Sequence, residues 1–189
     1  KAVRARDVAD FEKMYRIINN DPQNEILWVP AAAVKKIQKA RYAEMVLHEM
    51  WCVANLRIKS VEIQGDSAAV RFHHPESRIQ FEHPWPRPMV TKDGHNSAFY
   101  LTNAMELLDE PGEWYHDIES RKIYYYPRKG EKISKAVVPG IETLVWVEGT
   151  IDRPVKHIRF DNIAFQYTTW MRPSLQGHVP LQAGMYMTD

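Results

Sequence analysis

The sequence has a single cysteine, Cys52, among 189 residues, so no disulfide can form within the chain. Cys52 stands among Trp51, Val53 and Ala54, and this setting predicts a buried, unreactive thiol. The net charge is +1, with basic and acidic residues interspersed, which gives no electrostatic reason to expect nucleic acid or a membrane surface as a partner. No apolar run approaches the ~20 residues of a transmembrane helix.

Patterns typical of metal and cofactor sites are also missing. The eight histidines follow no zinc-binding spacing. His73 and His74 are adjacent, so on a strand their side chains would point to opposite faces. Neither a glycine-rich phosphate loop nor a G-x-S-x-G elbow is present. We therefore expect no bound metal and no cofactor.

The two ends of the sequence predict a piece of a longer protein. No signal peptide is visible, but the chain begins with Lys1 rather than with methionine. The last residues, from Gly184 to Asp189, are typical of a strand that continues. The absence of a visible signal peptide therefore says little about the location of the parent protein.

Residues 1–42 are predicted to form a helical and irregular segment. Apolar residues recur at helical spacing from Val8 to Asn20, and Asp7 is suited to cap that helix. The run from Asn19 to Pro22 would end it. The sequence therefore predicts a short N-terminal helix before the first long strand.

Residues 43–142 follow a β pattern. Apolar and polar residues alternate from Val53 to Ile63, and the return strand Ala68–His73 follows after a Gly-Asp turn. His74 to Asn96 is rich in proline and predicts a long loop across a surface, ordered locally by Phe81 and Trp85. These segments predict an antiparallel, sandwich-like β-domain.

A second hairpin is expected where aromatic residues concentrate. Glu113 to Asp117 and Ile123 to Tyr126 are rich in residues suited to a half-buried sheet, with a polar connection between them. Five carboxylates lie in or near it: Glu106, Asp109, Glu110, Glu113 and Asp117. A pair of carboxylates can act as general acid and base, but turn and strand-edge positions favour structural roles here. We expect Asp109 to bond its own backbone, and Glu113 and Asp117 to pair with Arg121 or Lys122.

Residues 143–189 change character. Two apolar-polar-apolar triplets, Ile158–Phe160 and Ile163–Phe165, flank an Asp161-Asn162 corner. Asparagine tolerates the left-handed conformation that such a bend needs. Short strands joined by asparagine corners are typical of a right-handed parallel β-helix, but two triplets also fit an ordinary hairpin. The residues alone leave both architectures open.

Four segments together resemble one family. They are NAMELLDEPGEWYHD from Asn103, KIYYYPRKGE from Lys122, ETLVWVEGTIDRPVKHIRFDNIAFQYTTW from Glu142 and GHVPLQAGMY from Gly177. This combination resembles secreted bacterial glycoside-hydrolase-like enzymes that are built on a right-handed parallel β-helix. In these enzymes a smaller β-sandwich-like domain interrupts the β-helix.

The resemblance implies a mainly β fold in which an inserted antiparallel β-domain, 43–142, precedes the first coils of a parallel β-helix, 143–189. It implies that the parent protein hydrolyses glycosidic bonds in a complex polysaccharide and acts in a secreted, periplasmic or cell-surface location. The catalytic carboxylates are expected on later coils, so this piece lacks them. A polysaccharide lyase on the same scaffold and a non-catalytic carbohydrate-binding module remain as alternatives.

The polar loop near the end of the sequence is the predicted substrate-binding region. Trp170, His178 and Gln182 are predicted to line a sugar-binding groove, because an indole can stack on a sugar and the other two offer directional hydrogen bonds. The alternative is that Trp170 belongs to a core and His178 caps a turn. Arg172 is the only cation nearby, which disfavours a lyase, since a lyase must neutralise a uronate. The expected partner is a carbohydrate, with self-association through the exposed β-helix edge at Asp189.

Overall fold

The computed structural model describes residues 3–7, 10–82, 85–134, 136–169, 177–181 and 184–185. Contacts divide the chain into two compact units. Unit 1 comprises Lys1–Glu131 together with Arg172–Asp189, and unit 2 comprises Lys132–Met171. Within the described parts the protein is mainly β, with antiparallel sheets and few helical residues, as the sequence predicted for an inserted β-domain.

Unit 1 carries the regular secondary structure. Its strands, in chain order β1 to β12, are Val3–Arg4, Tyr15–Arg16, Asn19–Asp21, Ile26–Pro30, Glu44–His48, Val53–Gln64, Ser67–Phe72, Ala98–Thr102, Glu113–Asp117, Lys122–Tyr125, Pro180–Leu181 and Gly184–Met185. Its α-helices are α1, Ala31–Val34, and α2, Glu76–Glu82, and its 3-10 turns are Phe11–Lys13, Lys35–Ile37 and Met105–Leu107. None of these helices is long and apolar enough to cross a membrane.

A seven-stranded sheet forms the centre of unit 1, in the order β2-β8-β5-β6-β7-β4-β3. Every pairing in it is antiparallel. β6 pairs first with β5 and then with β7, and its register shifts between Ile58 and Ser60. A second sheet, β1-β9-β10, contains the aromatic hairpin predicted around Trp114 and Tyr124. Both hairpins predicted from the sequence are therefore confirmed.

The core lies against one face of the seven-stranded sheet. Alternate residues of five strands supply it because successive side chains on a strand point to opposite faces. Its fully buried members include Leu27, Met45, Leu47, Leu56, Val70, Phe99 and Leu101. Val34 and Ile37, from α1 and the following 3-10 turn, close the core.

The predicted N-terminal helix, Val8–Asn20, is wrong in its described part. Residues 11–13 form a 3-10 turn, and two short strands follow it. Tyr15 pairs with Phe99 of β8, so the sheet satisfies the backbone groups that a helix would have satisfied internally. Ile17 is buried, whereas Phe11 and Ile18, on the predicted apolar face, are exposed.

Unit 2 is described from 132 to 169, except residue 135, and this part contains neither helix nor strand. β-Helix coils are therefore not seen there and stay a prediction. The expected left-handed corner is present, since Asn162 has a φ of 56°. The rings of Phe160 and Phe165 on either side of it meet edge to face, with centroids 5.5 Å apart.

The division into 1–42, 43–142 and 143–189 concerns the longer parent protein and stays a prediction. β4, in the first segment, is hydrogen-bonded to β7, in the second. Arg4 donates to Glu44 through its two terminal guanidinium nitrogens, Nη1 and Nη2, at 3.0 and 3.1 Å. The N-terminal strands therefore belong to the same sheets as the residues after 43.

Candidate functional site

One of the three predicted groove residues lies in the described part of the chain. This residue is His178, on the short segment 177–181 that returns to unit 1. Trp170 and Gln182 lie outside the described residues. The position of His178 therefore defines the candidate site.

His178 is fixed to the central sheet through its backbone. Its N–H donates to the carbonyl of Asn55, and the amide of Asn55 donates to the carbonyl of His178, both at 2.8 Å. Val179 follows and is buried in the core. The imidazole is half-buried, and its backbone is held by β6.

A buried ion pair lies beside this segment. Glu76, the first residue of α2, is 1% exposed. It accepts from Arg57 Nε at 2.6 Å, from Arg57 Nη2 at 2.8 Å and from the Arg57 amide at 3.2 Å. Gly177 is close against Glu76, because a Cβ on it would lie 2.6 Å from Glu76 Cγ. The returning segment therefore packs at Gly177 against Glu76, which Arg57 holds in place.

The chemistry available here is hydrogen bonding rather than acid–base catalysis. Glu76 is buried and bonded by Arg57, and this bond raises the pKa of the Arg57 guanidinium. Burial lowers the pKa of His178, so its imidazole is neutral at neutral pH and offers one donor and one acceptor. A neutral imidazole with this capacity suits a sugar hydroxyl.

The replacement His178→Gln is expected to make the protein less sensitive to acid. Because the folded pKa lies below the unfolded value, the unfolded state binds more protons, and stability is lost as the pH falls from about 6.5 through the folded pKa. Thermal midpoints measured from pH 7.5 to 5 should fall less in the variant than in the wild-type protein.

His95→Gln is the matched control, since the His95 side chain is 80% exposed. His48 and His73, whose pKa values burial also lowers, stay in both proteins, so the difference isolates His178. Parallel pH profiles for wild type and His178→Gln would contradict the prediction.

The motif carboxylates bond backbone amides. Glu113 is 3% exposed. Its Oε1 accepts from the amide of Arg6 at 3.3 Å, and its Oε2 accepts from the amides of Asp109 and Glu110 at 3.2 and 3.1 Å. Glu113, on β9, is therefore bonded both to the segment that follows β1 and to the turn before β9.

Asp117 and Asp109 also have structural partners. Asp117 accepts from the Ser120 hydroxyl and from the amides of Ser120 and Glu119, and these bonds lower its pKa. Asp109 accepts from Lys36 Nζ at 3.1 Å rather than bonding its own backbone. The partners predicted for Glu113 and Asp117, Arg121 and Lys122, were wrong. Glu113 is buried and bonded by amides outside the hairpin turn, and Asp117 is bonded by the amides and hydroxyl of the turn itself.

A pair of exposed tryptophans is the functional candidate that sequence reasoning missed. Trp51 is 47% exposed and Trp85 37% exposed, and their ring centroids are 4.9 Å apart. The sequence predicted only a loop-ordering role for Trp85. The available signal was the position of Trp51 in a short turn between two strands, where a large aromatic side chain has little core to enter.

Within the described residues, no group of three His, Cys, Asp or Glu side chains is arranged to hold a metal ion.

Unit 2 has an open pocket of about 380 Å³ lined by Leu144, Val145, Val147, Phe160, Phe165 and Thr168. This lining is almost entirely apolar and offers no acid or base. It is therefore suited to packing rather than to chemistry.

Comparison with known proteins points to one class of enzyme. Residues 1–128 match the family described as "GH141 insertion domain". A solved structure titled "Glycoside hydrolase" is 71% identical, with a TM-score of 0.94, over 100% of this chain and 33% of the other. The chain therefore spans about a third of the length of that protein. No curated protein matches the chain.

Proposed function

Because the chain belongs to the GH141 insertion-domain family, we propose that it is part of a glycoside hydrolase acting on a complex polysaccharide. The observation that carries the proposal is the agreement, along the whole chain, with a longer solved protein titled as a glycoside hydrolase. In this proposal residues 43–142 are the inserted β-domain, and the chain supplies scaffold and part of a sugar-binding groove. The catalytic carboxylates belong to other parts of the enzyme.

We place the start of a right-handed parallel β-helix in residues 143–169. Apolar side chains that a neighbouring coil would cover are exposed there, including Trp146 at 76%, Ile151 at 99% and Ile163 at 59%. The left-handed Asn162 gives the sharp bend that each coil needs. The apolar pocket of unit 2 corresponds to the coil interior in this arrangement.

The proposed groove combines His178 with Trp170 and Gln182. The anchoring of His178 on β6 supports this assignment, because binding residues on loops act best when a rigid element holds the loop. The proposed partner is a polysaccharide, which is too large to enter a cell. The proposed location is therefore secreted, periplasmic or on the cell surface.

The test is sugar release by the full-length protein. We expect reducing ends to appear when it is incubated with plant polysaccharides, without the ultraviolet absorbance of unsaturated products. His178→Ala, Trp170→Ala and Gln182→Ala should each raise KM about two- to tenfold with kcat little changed, as loss of a substrate hydrogen bond or stacking contact predicts.

Each alternative has a separate outcome. Unsaturated products would show a lyase, and glycan binding without any product would show a non-catalytic module. The matched control is His116→Ala, because the His116 side chain is exposed on β9. Unchanged KM in all three groove variants would remove the groove assignment while leaving the hydrolase proposal in place.

A further inference from the structure

The turn between β5 and β6 presents Trp51 to solvent beside Trp85. The two indole planes meet at 60°, so the pair forms a corner rather than a flat stack. Trp51 is 47% and Trp85 37% exposed. Tryptophan side chains are highly buried on average, so two neighbouring exposed indoles form a distinct apolar surface.

The turn that carries Trp51 is held at both ends. The amide of Glu49 donates to the carbonyl of Cys52 at 2.9 Å, which closes the turn. The Cys52 thiol donates to Glu49 Oε2 at 3.3 Å. Burial, ahead of this bond, raises the pKa of Cys52 to about 12, so the thiol keeps the proton that it donates.

A third contact joins the turn to α2. Gln80 Nε2 donates to Glu49 Oε1 at 2.7 Å, and Gln80 is 1% exposed. The same carboxylate therefore receives one bond from within the turn and one from the helix. Trp85 meets Trp51 with ring centroids 4.9 Å apart, so its indole lies against the turn that these bonds hold. The corner exists before any ligand arrives, which reduces the entropy cost of binding.

We propose that Trp51 and Trp85 form a binding site for a pyranose ring of a polysaccharide. The indole faces would contact the C–H face of the sugar, and the Trp51 indole N–H is a donor suited to one of its hydroxyls. The choice of a sugar as ligand rests on the proposed function. The site would keep an insoluble or branched polysaccharide on the inserted domain while hydrolysis proceeds elsewhere in the enzyme.

The size of the patch favours a sugar over a protein. Two partly exposed indoles offer roughly 200 Å², whereas a stable protein interface needs about 800 Å² from each partner. The area of one or two sugar rings matches the smaller figure. Met50, which is 53% exposed in the same turn, can extend the apolar surface by one side chain.

The test is affinity electrophoresis of the full-length protein in gels that contain arabinoxylan, pectin or β-glucan. We expect at least one polysaccharide to retard the wild-type protein, and Trp51→Ala or Trp85→Ala to raise the dissociation constant at least about tenfold. Trp51→Phe, which keeps an aromatic face, should bind with intermediate strength. Hydrolysis of a short soluble glycoside should stay within about twofold of wild type in all three variants.

Tyr126→Ala is the matched control, because Tyr126 is an aromatic residue that is 43% exposed elsewhere in unit 1. The proposal is overturned if no polysaccharide retards the wild-type protein. It is also overturned if a polysaccharide retards the tryptophan variants as strongly as the wild-type protein. Earlier thermal unfolding of the alanine variants also overturns it, since the indoles would then pack against another part of the protein. Tryptophan-dependent retardation without hydrolysis would leave this site standing and remove the hydrolase proposal.

Discussion

The replacement Arg57→Met is expected to lower the free energy of unfolding by about 3–5 kcal/mol. Glu76 would stay at a position that is 1% exposed without the two guanidinium bonds that compensate its carboxylate. Removing one partner of a buried pair costs far more than the pair itself contributes, because the remaining charge has no water around it. Urea denaturation followed by circular dichroism measures the change.

The pair Arg78–Glu82 supplies the control for this experiment. Its side chains are 53% and 64% exposed and its nitrogen–oxygen distance is 3.1 Å. Because water screens both charges, Arg78→Met should cost no more than about 1 kcal/mol. Equal losses in the two variants would show that Arg57 acts through the packing of its aliphatic chain and not through Glu76.

The second large effect is expected at Gly177. Its φ of 68° lies in the left-handed region, and an added Cβ would lie 2.6–2.8 Å from three carbons of Glu76. Glu76 cannot move aside without breaking its bonds to Arg57. Gly177→Ala should therefore release the segment 177–181 from β6, and its His178 amide should exchange hydrogen much faster in mass spectrometry.

Gly65→Ala separates backbone strain from collision. Gly65 has nearly the same φ, 62°, but nothing lies within 4 Å of the position that a Cβ would take. Its replacement should cost only the left-handed penalty, about 1–2 kcal/mol. Gly177→Ala should cost about 1–3 kcal/mol more, as for other overpacked sites. Similar losses for the two variants would contradict the close approach of Gly177 to Glu76.

The hairpins were predictable because their signals are local. β6 and β7 are joined by a short turn in which Gly65 adopts the left-handed conformation, and their residues alternate in the sequence as they do in the sheet. The aromatic hairpin β9–β10 is also encoded by neighbouring residues. In both cases the pairing partner lies within reach of the turn, so the sequence pattern contains most of the information.

The predictions of secondary structure fail where a residue distant in the sequence determines the local conformation. Spacing favoured a helix after Val8, but pairing of Tyr15 with Phe99 supplies the backbone bonds and selects a strand. The proline-rich stretch suggested a loop, yet α2 forms in it, with Glu76 bonded to Arg57 on β6. No local pattern reports such a contact.

The candidate site was predictable to the same limited degree. His178 stood in a loop of suitable composition, but its anchor, Asn55, is far away in the sequence. Trp51 and Trp85 are far apart in the sequence and become neighbours only in the fold, where their ring centroids are 4.9 Å apart. Residue types could suggest sugar binding, whereas only the fold could bring two tryptophans together.

The bonds between His178 and Asn55 also bear on the solubility of the protein. Asn55 lies in the part of β6 that pairs with β5 and not with β7. Its N–H and C=O point away from β5, and both are bonded to His178. An open strand edge at this point would be a template for a strand from another molecule. The returning segment occupies that edge, so the contact that positions His178 also limits growth of the sheet into a second copy.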